Sequence, residues 1–195
     1  MLYIVGLGNP GDKYTNTRHN VGWMALDMFR TKAGLGDPVA SLKYSGKVVE
    51  SVMEGEEVTL LYPDTFMNNS GTAVVKLVPK GAVGKLIVVY DDVDLPVGEF
   101  KVSHGKGSGG HNGIESIIKA LGSKDFVRIR VGIAPKSFWT GKAKRPSSGQ
   151  ALSKHVLGAF SRSEAKQIES VLERAVDAIS YIQKHGPEAA MNEFN

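Results

Sequence analysis

Short apolar runs and stretches of helical periodicity alternate along most of this chain. Runs of four to six residues, several of them β-branched, predict strands, and a recurrence of apolar residues every three or four positions predicts helices. The predicted strands are 2–5, 47–52, 58–62, 86–90, 99–102 and 127–131, and the predicted helices between them are 21–31, 71–78 and 114–121. This alternation predicts an α/β fold.

The last helix is the clearest element of the sequence. Ser161 and Glu164 have the spacing of a capping box, which predicts a helix beginning after Ser161. One face is then apolar, with Ile168, Val171, Leu172, Ala175, Ile179 and Ile182. Gly186 and Pro187 predict its end.

Residues 136–153 show no periodicity and contain Gly, Ser and Lys, so we expect a loop insertion there. Elsewhere no composition change marks a second domain. A length of 195 residues fits one domain with a substantial core. We therefore expect a single domain over 1–195.

Composition excludes several classes of protein. The chain has no cysteine, which removes disulfides, thiolate metal sites and a cysteine nucleophile. It has no apolar run near the roughly 20 residues of a membrane span, and no basic leader precedes an apolar stretch. We expect a cytoplasmic protein without a membrane partner.

The positive charge is concentrated in residues 101–154, which hold 11 Lys and Arg against 2 acidic residues. Such a segment predicts a surface for phosphate backbones if its side chains point outward. A solvated surface of a basic protein is the alternative. The 11 residues are Lys101, Lys106, Lys119, Lys124, Arg128, Arg130, Lys136, Lys142, Lys144, Arg145 and Lys154.

Glycines at 6, 8 and 11 have the G-x-G-x-x-G spacing of a dinucleotide-binding loop. The context does not fit, because a polar stretch follows and helical periodicity begins only near Val21. The acidic residue that would bind a ribose is also missing, since the nearest one, Asp27, lies within a predicted helix. We expect no nucleotide cofactor.

Ionisable residues follow two predicted strands. Asp91, Asp92 and Asp94 come after strand 86–90, and His19 comes after the glycine loop that ends strand 2–5. If the two strands are neighbours, an Asp can accept the Nδ1–H of His19 and leave Nε2 as a base. A packed or surface His19 is the alternative. The aspartates could instead form a turn, cap a helix or bind magnesium.

The sequence has no G-x-S-x-G, H-E-x-x-H or C-x-x-C motif, so a side-chain nucleophile or a zinc site is not indicated. A His–Asp pair would then most simply activate water. Because a general base contributes about 10²–10⁴-fold, an activated ester is a better substrate than an amide.

Four separated blocks of the sequence closely resemble bacterial peptidyl-tRNA hydrolase. They are VGLGNPG at 5–11 with Tyr14 and RHN at 18–20, TFMNNSG at 65–71, DDVDLP at 91–96, and GGHNG at 109–113. The resemblance implies a single α/β domain around a twisted, mostly parallel mixed sheet flanked by helices. It also implies hydrolysis of the ester that joins a peptide to the terminal ribose of tRNA. The partner implied is peptidyl-tRNA, contacted at its acceptor arm and peptide by a monomer that needs no cofactor, metal or obligate protein partner.

The resemblance also implies roles for individual residues. His19 matches the catalytic base, Asp91 the residue that orients it, and Asn9 the residue that favours N-blocked substrates. The positions that match contacts to the tRNA end or peptide are Tyr14, Phe66, Asn68 and Asn112, with Met67, Lys106 and His111 in support.

Each binding residue has a structural alternative. Phe66 and Met67 could be core, and Asn68 and Asn112 could cap helices. A glycine-rich loop at 105–110 could bring backbone N–H groups to the ester or a phosphate.

Two other functions stay open. One is an RNA-binding relative without activity, which would have no need of an aligned base. The other is a metal-dependent phosphoesterase that uses Asp91, Asp92 and Asp94.

The segment formed by residues 136–146 is longer and more basic than the connection that the resemblance predicts. They could be a tolerated insertion, or an added RNA contact or lid.

Overall fold

The computed structural model describes residues 1–137 and 139–195, and Phe138 lies outside the described residues. The strands are β1 Leu2–Gly6, β2 Val39–Ser41, β3 Gly46–Met53, β4 Glu56–Pro63, β5 Leu86–Pro96, β6 Phe100–His104 and β7 Val127–Ala134. The α-helices are α1 Val21–Lys32, α2 Ser70–Leu77, α3 Asn112–Leu121, α4 Gln150–Val156 and α5 Arg162–Phe194. Short 3₁₀ turns lie at Asp12–Tyr14, Arg18–Asn20, Met67–Asn69 and Lys80–Lys85.

The strands form one mixed sheet in the order β2-β3-β4-β1-β5-β7-β6. The central strands β4, β1, β5 and β7 are parallel, and β2, β3 and β6 pair antiparallel at the edges. Strands β1 and β5 are therefore neighbours, and their carboxyl ends meet at the same edge of the sheet. The predicted α/β class and mostly parallel mixed sheet are confirmed.

Helices cover both faces of the sheet, because neighbouring residues of a strand point to opposite sides. Ile4 packs with α1 and α5, whereas Tyr3 and Val5 pack with α2 and α3. Gly6 lets α1 approach the end of β1, since a Cβ there would overlap the carbonyl of Gly22. This first glycine therefore serves helix packing.

Several elements of the chain differ from the sequence predictions. The structure adds the strand β2, and it adds α4, which begins inside the expected loop 136–153. Strand β5 continues through the aspartates to Pro96 instead of ending at Tyr90, because Asp91 and Asp92 stay paired with β7.

The last helix begins as predicted, with Ser161 as its N-cap and both bonds of the capping box present. At Gly186 the backbone leaves helical geometry with φ 82°, and the helix resumes after this kink. The predicted end is thus a kink, and the chain reaches Asn195. Among the described residues, none of the helices combines the length and apolar character that a bilayer crossing requires.

Candidate active site

A histidine–aspartate–histidine cluster lies at the carboxyl end of the central strands. His19 is in the 3₁₀ turn Arg18–Asn20, which lies between β1 and α1. Asp91 is in β5, and His111 directly precedes α3. The Oδ1 atom of Asp91 lies 2.8 Å from Nδ1 of His19 and 3.0 Å from Nε2 of His111. All three side chains are buried or nearly so.

The hydrogen-bond partners fix the tautomers of both histidines. The backbone N–H of Ile114 donates to Nδ1 of His111 at 3.2 Å, so in the neutral ring the proton is on Nε2 and points at Asp91. His19 donates its Nδ1–H to the same carboxylate, and its Nε2 keeps a lone pair. His19 lines a cavity of about 280 Å³.

The charges in the cluster shift both pKa values. Burial alone would lower the pKa of His19, but the charge of Asp91 and its hydrogen bond outweigh burial and raise it above the ordinary value. Burial alone would raise the pKa of Asp91, whereas the two imidazoles hold it well below its usual range. Asp91 is therefore a carboxylate at neutral pH.

His19, Asp91 and His111 also have the composition of a metal site, with their ligand atoms within 4.8 Å of one another. Metal binding needs a lone pair on the nitrogen with which each histidine would coordinate. The Ile114 contact directs a proton, not a lone pair, from His111 toward Asp91. The geometry therefore favours a hydrogen-bonded cluster.

The three aspartates do not share one ligand position. Asp92 accepts from Nε of Arg130 at 2.6 Å, and Asp94 accepts from Nη1 of Arg145 at 2.6 Å. With Asp91 bound to two histidines, each carboxylate has its own partner. This arrangement argues against a magnesium site made from all three.

Five predicted residues line the cavity, namely His19, Asp91, Lys106, His111 and Asn112. Asn112 is the first residue of α3 and is exposed. The helix cap is His111, so the alternative that Asn112 caps α3 is wrong. Lys106 belongs to the glycine loop, whose carbonyl at Gly107 accepts from Arg128 at 2.7 Å.

The other five predicted residues, Asn9, Tyr14, Phe66, Met67 and Asn68, do not line this cavity. Asn9 is buried, and its Oδ1 accepts the backbone N–H of Met67 at 2.8 Å. The amide oxygen is thereby used, and Nδ2 remains as the donor for another group. Met67 in turn approaches α3, because a Cβ on Gly113 would lie 2.5 Å from its Sδ.

The structural alternatives divide between the residues of the 66–68 segment. Met67 is core, whereas Phe66 is 57% exposed and Asn68 is exposed without a capping role. Tyr14 is half-exposed in the turn Asp12–Tyr14, with the Lys13 ammonium 4.9 Å from its ring centre.

Two neighbours of His19 were not predicted as site residues. The side chain of Asn20 accepts the N–H of Asn9 at 2.9 Å and donates to its carbonyl at 3.0 Å. Arg18 donates to both carboxylate oxygens of Glu164 and to the carbonyl of His155. Their only sequence signal is their position beside His19.

The basic side chains of residues 101–154 lie mostly on the surface, with one exception. Nine of its 11 basic side chains are exposed and Arg130 is half-buried. Arg128 is only 1% exposed, so the expectation of an outward side chain is wrong there. It lies against the ring of Phe126 and binds backbone carbonyls.

Comparisons with known proteins identify the family of this chain. The family model described as peptidyl-tRNA hydrolase matches residues 3–195. A peptidyl-tRNA hydrolase of Caldanaerobacter subterraneus is 45% identical, and one of Syntrophotalea carbinolica is 40% identical, with at least 97% of each chain covered. The crystal structure of peptidyl-tRNA hydrolase from Acinetobacter baumannii is 30% identical with a TM-score of 0.88, covering 100% of this chain and 94% of that one. The chain therefore belongs to the peptidyl-tRNA hydrolase family.

Proposed function

We propose that this enzyme hydrolyses the ester between a peptide and the terminal ribose of tRNA with His19 as the general base. Nε2 of His19 removes a proton from water, and the resulting hydroxide attacks the ester carbonyl. The C–O bond to the ribose then breaks, and the imidazolium of His19 returns its proton to the ribose oxygen. The peptide leaves as a carboxylic acid that loses its own proton to solvent, so the products are a peptide carboxylate and tRNA. The observation that carries the proposal is the bond from Nδ1 of His19 to Asp91, which leaves Nε2 as the acceptor.

Asp91 is the positioning residue in this mechanism. Its carboxylate fixes the tautomer of His19 and stabilises the imidazolium that forms when water is deprotonated. Because the pKa of His19 is raised, its neutral form is a stronger base than an isolated imidazole. His111 holds the other side of the same oxygen atom, so Asp91 cannot turn away.

We assign substrate recognition to the amides around the cluster. Nδ2 of Asn9 is suited to a peptide carbonyl, because its Oδ1 is already bound to Met67. The amide of Asn112 lines the cavity and could polarise the ester carbonyl. Asn68, Phe66 and Tyr14 form the proposed contacts to the peptide or tRNA end, with Phe66 offering an exposed ring.

The proposed RNA partner is the acceptor arm of tRNA, bound through phosphates and therefore with little regard to sequence. Lys106 in the cavity wall and the exposed lysines of 101–154 support this assignment. Because a single chain supplies every member of the His–Asp–His cluster, we propose that the enzyme works as a monomer. We place it in the cytoplasm, where translation supplies peptidyl-tRNA.

The test is release of an N-acetyl-aminoacyl group from tRNA by wild type and His19→Ala, with and without a chelator. His185→Ala is the matched control, since His185 is exposed on α5. We expect the His19 variant to lose about 10²–10⁴-fold in kcat while it still binds tRNA. The control and the chelator should have no effect. Release that needs a metal, or that survives loss of His19, would contradict the mechanism.

Unblocked aminoacyl-tRNA tests the role of Asn9 in the same assay. We expect wild type to prefer the blocked substrate and Asn9→Ala to lose that preference. A folded wild type that binds tRNA and releases neither group would instead indicate the RNA-binding relative without activity.

A further inference from the structure

The described part of the segment that the sequence marks as longer and more basic than expected folds into a small hairpin, here called the basic hairpin (residues 136, 137 and 139–144). Lys136 and Ala143 form an antiparallel bridge. The backbone N–H of Ser137 donates to the carbonyl of Lys142 at 2.8 Å, and that of Gly141 donates back to Ser137 at 2.9 Å. A φ of 67° at Gly141 makes the turn possible. The described residues of the segment thus form a defined structure and not a featureless insertion.

The basic hairpin is fixed at the rim of the catalytic cavity. Arg145, which follows it directly, forms an ion pair of 2.6 Å with Asp94, and both side chains line the same cavity as His19. The side chain of Arg145 also reaches the glycine loop, 4.0 Å from where a Cβ of Gly110 would stand. The hairpin is therefore joined through Arg145 to the wall of the cavity.

The turn of the hairpin presents an aromatic ring among positive charges. The side chain of Trp139 is 91% exposed, and Lys142 and Lys144, which follow it in the chain, are exposed as well. Lys136 is bound to Glu99 at 3.5 Å, but within the described part of the chain Lys142 and Lys144 form no ion pair. The sequence has no acidic residue between Asp125 and Glu164. Exposed aromatic rings with unneutralised cations are the surface that unpaired nucleic acid strands bind.

We propose that the basic hairpin binds the unpaired 3′ strand of the substrate tRNA, with the ring of Trp139 stacked on a nucleobase upstream of the terminal adenosine. Lys142 and Lys144 contact the adjacent phosphates. The terminal adenosine carries the ester and must lie at His19 inside the cavity. Of residues 136, 137 and 139–145, Arg145 alone lines the cavity. The hairpin therefore lies outside the cavity wall, and the base that it meets belongs to a preceding nucleotide. This inference rests on the proposed function.

Two substrates and matched variants test the proposal. The substrates are N-acetyl-aminoacyl-tRNA and the same N-acetyl-aminoacyl ester on adenosine alone. We expect Trp139→Ala to raise KM for the tRNA substrate by about 5-fold or more, as one lost stacking contact predicts. kcat on tRNA and KM for the adenosine ester should not change. Trp139→Phe should retain most of the affinity, because it keeps an aromatic face.

Leu42→Ala is the control for removal of an exposed apolar side chain, since Leu42 is 98% exposed. We expect no change in either substrate for this variant. An unchanged KM for tRNA in Trp139→Ala would overturn the proposal. An equal rise for both substrates would also overturn it, since it would indicate damage to the cavity.

A binding measurement separates failure of this inference from failure of the proposed function. The chain has two tryptophans, so Trp23→Phe leaves Trp139 as the only one. We expect deacylated tRNA to quench its fluorescence and high salt to remove the quenching. This result would support the hairpin contact even if the chain hydrolysed no ester. A response to anionic phospholipid vesicles but not to tRNA would identify the hairpin as a membrane contact instead and overturn the proposal.

Discussion

Replacement of Asp91 by Asn tests the proposed active site most directly. The two side chains have the same shape, so the buried site keeps its packing, while the negative charge between His19 and His111 is removed. Both histidines donate to one oxygen of Asp91, and the amide oxygen of Asn can still accept from them. The variant therefore isolates the effect of charge on His19.

The structure sets the size of this effect. In the transition state the imidazolium of His19 and the carboxylate of Asp91 form an ion pair with charge centres about 4 Å apart, which corresponds to about 4 kcal/mol at an effective dielectric constant of about 20. About 1.4 kcal/mol changes the rate tenfold. Part of the pair energy is already present as a hydrogen bond in the ground state, so we expect kcat to fall about 10²–10³-fold.

The pH profile should move in a defined direction. His19 must be neutral to act as the base, so activity rises as pH increases through its pKa. In wild type Asp91 raises the pKa of His19, whereas in Asp91→Asn burial remains without that charge. The acidic limb of kcat/KM should therefore shift to lower pH. The rate difference from wild type should be largest above neutral pH and smaller near pH 5.

The assay is kcat/KM for N-acetyl-aminoacyl-tRNA between about pH 5 and 9, with urea unfolding to check that each variant is folded. Asp125→Asn is the matched control, because it makes the same change in an exposed His–Asp pair, with His104 at 3.1 Å. We expect no effect there. An Asp91 variant with wild-type kcat and an unmoved acidic limb would refute the proposed role of its charge.

Three other predictions concern stability. Burial alone would raise the pKa of Glu164, but hydrogen bonds at the helix cap and the charge of Arg18 outweigh burial and lower it. The carboxylate therefore contributes to the unfolding free energy above the ordinary pKa of Glu, about 4.3, and this contribution is lost as pH falls below it. Urea unfolding should show wild type and Glu164→Gln converging in stability below that pH. Asn195→Ala removes two hydrogen bonds of 2.9 Å to the backbone of Val102 and should lower the unfolding free energy by about 1–3 kcal/mol with kcat/KM unchanged. A variant as stable as wild type would show that the side-chain amide of Asn195 does not stabilise β6. Gly71→Ala places a methyl group against the backbone of α3 and should destabilise by about 1–3 kcal/mol, so a wild-type thermal midpoint would mean that the two helices separate at little cost.

The predictable parts of the fold are those where burial produces a recognisable pattern of apolar residues in the sequence. The runs that became β1, β5 and β7 are almost wholly buried, and the amphipathic face of α5 is continuous, so apolar residues mark each of them. By contrast, β2 has three residues that are not buried, and α4 has no buried residue. Pairing at a sheet edge and packing at the cavity decide these two elements. Neither kind of contact produces a periodic pattern of apolar residues, so the sequence does not predict β2 or α4.

The charged residues show a different limit. A positive segment could be located from the sequence, but Arg128 lies inside the protein, because strand β7 places its side chain among backbone carbonyls. Strand β5 could be found, but its extension through Asp91 and Asp92 depends on pairing with Val131 and Gly132. Burial of a charge is decided by partners distant in sequence, so local composition does not reveal it.

The chemistry of the cluster required both kinds of information. Sequence pattern brought His19 and Asp91 together through neighbouring strands, whereas the start of α3 determines what His111 does. Because the N–H of Ile114 occupies Nδ1 of His111 and Asp91 faces its Nε2, this ring has no nitrogen available to accept a proton from water. The first nitrogen of His19 is likewise committed to Asp91. Within the cluster, Nε2 of His19 is then the one nitrogen with an uncommitted lone pair, and for this reason we propose it as the destination of the proton taken from water.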